Sequence, residues 1–261
     1  MKIILSHSVF FLFLAVVFGA VPLRAETAFR VSREADIPLL ALGIGICAFG
    51  NYRYFQMEPE TGEPSKSDFL PWDRPFAGTH HPDFDMSSDI VLYGLSAAVL
   101  GMGALDFGLG NSPGDETLAF FVSALEIALW QNGLNYLARS LKLWGRPEIY
   151  RSGADRSAAE SWGSFYSGHT GAAFAAAVLG GYWFQEKHPN SPYKPLVWGT
   201  ALSLSTAVGA MRLAAGKHCL SDVVVGAALG AATSFAVLRL HRESRVEAVA
   251  LPGFVGVSVH F

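Results

Sequence analysis

The chain has 261 residues, 51% hydrophobic and 16% charged, with a formal net charge of −3. This balance and a positive mean hydropathy argue against an ordinary soluble enzyme and favour a membrane protein. No global basic field supports a nucleic-acid partner. Its two cysteines, Cys47 and Cys219, fall in or beside apolar runs, where they read as small packed hydrophobes rather than a disulfide framework.

Residues 1–25 read as an export signal. Lys2 precedes an apolar run from Ile3 to Ala20, and Val-Pro-Leu-Arg-Ala follows with Ala25 as the last residue removed. The rival reading is an uncleaved anchor helix. A helical domain over residues 26–240 and a tail over 241–261 complete the division of the chain.

Ile37–Gly50 is an apolar run of 14 residues, short for a span and open between a spanning and an interfacial helix. Residues 51–87 are polar and proline-rich, a long loop with short pieces of structure. Apolar runs at Ile90–Leu109, Thr117–Leu141, His169–Phe184, Leu196–Leu213 and Leu220–Leu238 follow. Glu126, Gln131, Asn132 and Asn135 predict that the second of these turns a polar face into a bundle. Near the C-terminus, Val255-Gly-Val-Ser-Val-His-Phe alternates as a strand does, and reads either as a short C-terminal β-strand in need of a partner or as a frayed tail. The expected fold is all-α, an up-and-down membrane bundle of about six core helices.

Three polar clusters interrupt the apolar runs. The first is Arg139-x6-Arg146-Pro147, with Lys142 between. The second, Ser167-Gly168-His169, opens a helix, where free backbone N–H groups and the positive dipole end favour an anion. The third is Arg212-x5-His218-x3-Asp222. With a helix beginning near His218, His218 and Asp222 are spaced i,i+4 on one face, so the carboxylate can fix the imidazole tautomer while Arg212 offers a planar fork to a phosphate oxygen. In an up-and-down bundle all three clusters lie at one end. Several fixed cations around two histidines suit phosphoryl transfer, in which one imidazole attacks and the other gives up a proton.

These clusters resemble the three-part signature of the type 2 phosphatidic acid phosphatases, a superfamily that also includes bacterial nonspecific acid phosphatases and vanadium haloperoxidases. The resemblance covers about Arg139 to Leu238. It implies an all-helical fold, no metal or other cofactor, and hydrolysis through a phosphohistidine. His218 would be the nucleophile, Asp222 its orienting partner and His169 the acid, with Arg139, Arg146, Ser167, Gly168 and Arg212 holding the phosphate oxygens. Two positions depart from the family pattern. Arg139 stands where the family has lysine, leaving Lys142 as the other candidate, and Tyr166 stands where proline is usual.

The substrate this implies is a phosphorylated lipid in a bacterial-type cell membrane, with the active site facing the periplasm or exterior. Topology by counting makes that placement depend on the N-terminus. From an outside start the active face stays outside only if Ile37–Gly50 does not cross. If it does cross, an N-terminus that starts inside, with residues 1–25 not lodged in the bilayer, restores the outward placement. Lysines in the short Glu186–Lys194 loop and arginines after Leu238 favour the outward active face. Competing readings are a soluble exported acid phosphatase, a vanadate-dependent haloperoxidase, and a metal-binding or interaction protein built on His80-His81-Pro-Asp83-Phe-Asp85.

Overall fold

The computed structural model describes residues 29–242 and the strand backbone beyond them; the export-signal reading of residues 1–25 lies outside the described residues. Six long helices are present among these: α1 Arg33–Phe55, α2 Asp83–Gly108, α3 Gly114–Arg139, α4 Gly168–Lys187, α5 Lys194–Ala214 and α6 Leu220–His241. They run alternately up and down. The expected all-α bundle is what forms.

The run at Ile37–Gly50 belongs to a 23-residue helix. Its N-terminus is closed reciprocally: the Ser32 side chain accepts from Ala35 N–H, and the Asp36 carboxylate accepts from Ser32 N–H at 2.7 Å. The C-terminus extends through Asn51-Tyr-Arg-Tyr-Phe55, with Tyr52 and Phe55 exposed. Apolar-run counting stops short at such amphipathic ends, although the backbone does not. α2 likewise begins at Asp83 rather than Ile90, because Asp85, Ser88 and Asp89 are polar residues turned toward neighbouring groups. Before it, residues 56–82 form an irregular loop with 3₁₀ turns at Lys66–Asp68 and Arg74–Phe76.

α4 is the central helix, packed against α2, α3, α5 and α6. Its composition explains this position. Gly171, Ala173, Ala175, Ala177, Gly180 and Gly181 are all buried, and such small residues let helix backbones approach closely. The approach to α6 is the tightest kind: a Cβ at Gly230 would lie 2.0 Å from the Gly171 carbonyl oxygen. Gly230→Ala is therefore expected to destabilise the protein by about 1–3 kcal/mol, read as a lower thermal midpoint in detergent; an unchanged midpoint would contradict this packing. Below the small residues, Trp183 stacks with Phe29 and packs on Phe120, at centroid distances of 5.0 and 4.7 Å.

Five helices, all but α4, are long and apolar enough to cross a membrane. Large apolar side chains stand exposed around the bundle, among them Leu42, Phe49, Ile90, Tyr93, Leu105 and Val224. A surface of this kind suits lipid rather than water, and the chain is a multi-pass membrane protein.

The C-terminal strand finds a partner in the chain's own preceding segment. Phe254–His260 pairs antiparallel with Arg245–Leu251, in the register Arg245 opposite His260 and Leu251 opposite Phe254.

Candidate active site

The up-and-down order brings the C-terminal ends of α1, α3 and α5 and the N-terminal ends of α2, α4 and α6 to one end of the bundle. There a cavity of about 410 Å³ opens, and Arg139, Arg146, Gly168, His169, Arg212 and His218 all line it. Three separated clusters thus surround a single space.

His218 precedes α6 and is 3% exposed. Its Nδ1 lies 3.4 Å from Asp222 Oδ2 and 3.4 Å from Ser164 Oγ. The Asp222 carboxylate is held from several sides. Its Oδ2 accepts from Ser164 Oγ at 2.6 Å and from Cys219 N–H at 3.0 Å, and its Oδ1 accepts from Trp144 Nε1–H at 3.1 Å. A proton on Nδ1 facing this carboxylate leaves Nε2 as the free lone pair. Burial pushes the imidazole pKa down to about 3, against the opposing pull of Asp222 and with help from the Arg212 and Arg139 charges. The ring is therefore neutral at physiological pH, the form in which an imidazole can attack.

His169 is the second residue of α4, and its Nε2 lies 2.7 Å from Asp89 Oδ1. Gly168 before it is required by space, since a Cβ there would stand 2.7 Å from Asn135 Oδ1. The Asn135 side chain in turn donates to the Tyr166 carbonyl oxygen at 2.6 Å, fixing the loop that enters α4. With no side chain at Gly168, the first turn of α4 is open to an anion.

The three arginines arrive from different elements. Arg139 ends α3; it donates from Nε to the Gly163 carbonyl at 2.9 Å, and its guanidinium lies 4.6 Å from the Tyr54 ring centre. Arg146 follows in the loop, 3.6 Å from Glu160 Oε1 and 3.8 Å from Glu148 Oε1. Arg212 near the end of α5 pairs with Asp85 and donates to Ser88 Oγ at 3.2 Å. The Nε atoms of Arg146 and Arg212 are buried without a hydrogen-bond partner. Buried donors left open beside a cavity are what an oxyanion would satisfy.

Ser167, Lys142 and the grouping over residues 80–85 stand apart from the cavity lining. Ser167 is fully buried and its Oγ serves the helix, 2.9 Å from Thr170 Oγ1 and accepting from Thr170 N–H; it does not line the cavity. Lys142 turns away, donating to the Glu58 carbonyl at 2.7 Å, so of the two candidate cations in that cluster Arg139 is the one at the cavity. The ligand grouping His80 to Asp85 does not converge. His80 Nδ1 faces Glu148 Oε2 at 3.3 Å, the His81 ring lies edge-on to Phe84, and Asp85 pairs with Arg212 and Lys217.

Three contributors escaped the sequence reading, Asp89, Trp144 and Ser164, and Asp85 enters it only as part of a metal-ligand grouping. Asp85 and Asp89 are spaced i,i+4 and so share a face of α2, a signal hidden by assigning residues 83–87 to a loop. Trp144 and Ser164 carry no local pattern.

The family model of the PAP2 superfamily matches residues 117–245. No curated protein shows significant similarity to the chain. Among solved structures, the chain is similar to the first transmembrane PAP2 type phosphatidylglycerolphosphate phosphatase from Bacillus subtilis, at 19% identity and a TM-score of 0.48, covering 78% of this chain and 94% of that one. All three clusters lie within the matched residues, and the chain belongs to the PAP2 superfamily of phosphatases.

Proposed function

We propose that the protein hydrolyses a phosphate monoester or diphosphate on a membrane lipid through a phosphohistidine on His218. The observation that carries this reading is the shape of the cavity. Its cationic end continues into an apolar shaft lined by Leu92, Val99, Ile127, Ala172, Ala176 and Leu179. From His169 to Leu179 the shaft follows α4 for roughly 15 Å, about half of the ~30 Å hydrocarbon thickness of a bilayer. A phosphate among the arginines with an acyl or prenyl chain in the shaft matches both ends.

In this reading His218 Nε2 attacks phosphorus, and the N–P bond forms as the bond to the lipid oxygen breaks. His169 gives its proton to that oxygen. Water then gives a proton to His169 and attacks phosphorus, the N–P bond breaks, and inorganic phosphate leaves. Arg139, Arg146 and Arg212 stabilise the charge spread over the equatorial oxygens. Vesicles carrying phosphatidic acid, phosphatidylglycerol phosphate or a polyprenyl diphosphate test the substrate class by phosphate release; turnover of soluble phosphate esters alone would contradict it. Ala176→Phe should fill the shaft. It is expected to lower kcat/KM on a long-chain lipid phosphate by about 10- to 100-fold, while a short soluble ester changes by less than about 2-fold. Equal losses on both would remove the shaft from substrate binding.

The active face lies outside the cytoplasm in this proposal. Arg30, Arg33, Lys187, Lys194, Arg239 and Arg242 gather at the opposite end, and positive charge beside spans favours the cytoplasm. The active end carries cations too, Arg53, Lys66, Arg74 and Arg151 among them, but there Arg139, Arg146 and Arg212 are committed to the cavity and Lys217 and Arg156 face Glu148 and Glu63. With α1 crossing in full, the outward orientation requires an N-terminus that starts inside; cleavage after Ala25 on the far side would turn the active face inward. A reporter that works only outside the cytoplasm, fused after Ser191 in the α4–α5 turn, is expected to stay silent. Strong reporter activity there would reverse the orientation.

A further inference from the structure

Among the described residues, the phosphatase chemistry leaves unused a buried cluster of three ionisable side chains. Asp36 in the first turn of α1, Glu126 on α3 and His241 in the last turn of α6 are 3%, 0% and 1% exposed. Glu126 lies roughly 20 Å along α3 from Arg139, so the cluster is separate from the phosphate site. One ligand atom from each residue falls within 4.8 Å of the others. Ionisable groups this deep in a membrane bundle are costly and call for a compensating partner.

Hydrogen bonding within the cluster does not supply one. His241 Nε2 lies 2.8 Å from Glu126 Oε2 and 3.6 Å from Asp36 Oδ1, so two carboxylates converge on one nitrogen. A single proton there serves one carboxylate, and Glu126 Oε1 remains buried with no partner. On the other side of the ring, His241 Nδ1 lies 3.2 Å from the Arg30 carbonyl oxygen, which can only accept. That contact places a proton on Nδ1, and the 2.8 Å contact with Glu126 Oε2 is a hydrogen bond only with a second proton on Nε2, whose place a cation would take. A proton at each nitrogen would still leave the group with a net negative charge. A divalent cation would bring it to neutrality and meet all three donors at once.

We propose that Asp36, Glu126 and His241 form a structural site for a divalent transition metal of the zinc or manganese class. One imidazole nitrogen with two carboxylates suits these ions better than calcium or magnesium. The second layer is already in place. The Arg30 carbonyl fixes the imidazole, and the Asp36 Oδ2 atom is held by Ser32 N–H at 2.7 Å, the arrangement that orients metal ligands. With metal–ligand bonds of ~2.1 Å, neighbouring tetrahedral ligands stand about 3.4 Å apart. The 3.6 Å separation of His241 from Asp36 meets this, and the 2.8 Å pair would open by about 0.6 Å. Bound metal would tie α1, which packs chiefly on α3, to the end of α6.

The test uses the full-length protein in detergent. Titrated with cobalt(II) as a spectroscopic probe, native protein is expected to develop visible ligand-field absorption that saturates at about one ion per chain. After loading with zinc and desalting, elemental analysis should give about one zinc per chain, and zinc should raise the thermal midpoint. Glu126→Gln and Asp36→Asn should abolish the absorption and the retained zinc, whereas His218→Ala should keep both, which separates this site from the phosphate site. No cobalt absorption in the native protein overturns the proposal, even if the variants fail to fold. So does zinc retention that is equal in native and Glu126→Gln protein, or retention that is lost in His218→Ala.

Discussion

His218→Ala is expected to reduce phosphate release by at least about 10⁴-fold, since removal of a nucleophile leaves only binding and electrostatic assistance behind. His218 lines the cavity with its Nδ1 side turned to Asp222 and Ser164, so Nε2 is the ring atom left for phosphorus. The variant should fold, because Asp222 keeps its bonds from Ser164, Cys219 and Trp144 without the histidine. Measured as phosphate released from lipid vesicles, activity within about tenfold of native would reject the assignment. A circular dichroism spectrum matching the native one would show that the loss is chemical.

Asp222→Asn should cost about 10³–10⁴ in kcat with little change in KM, the scale seen when a histidine loses the carboxylate that sets its tautomer. Asparagine has one acceptor oxygen where Asp222 uses two, and its NH₂ group cannot accept from Trp144 or Ser164. A buried donor left without a partner also costs about 1–3 kcal/mol of stability. The expected pH behaviour separates positioning from protonation. Burial already holds His218 at about 3, and removing the neighbouring negative charge can only disfavour its protonated form further. Raising the pH should therefore recover no activity in Asp222→Asn. Recovery at high pH would mean that the variant fails because its imidazole is protonated, contrary to this account.

The three clusters were legible because charge and glycine stand out in an apolar chain, and because helix ends in an up-and-down bundle converge. Arg139, Arg146, Gly168, His169, Arg212 and His218 reach one cavity for that reason. The polar face expected on α3 is also present, since Gln131, Asn132 and Asn135 line the same space. Helix bounds were less legible. α1 and α2 extend through Arg33–Asp36 and Asp83–Asp89, which apolar counting excludes although their polar side chains are satisfied by caps and partners. The choice between Arg139 and Lys142 needed three dimensions. Lys142 lies beyond the end of α3 with a positive φ of 49°, and its side chain leaves toward Glu58. Ser164 and Trp144 owe their roles to distant Asp222, 58 and 78 positions further along the chain, a relation no local pattern encodes.

Trapping the covalent intermediate tests the central assignment most directly. Native protein mixed with radiolabelled lipid phosphate and quenched within a turnover should carry acid-labile, base-stable label, mapped by peptide mass spectrometry to His218. Label on another side chain, or turnover without transient protein-bound phosphate under conditions that capture a phosphohistidine standard, would contradict the account.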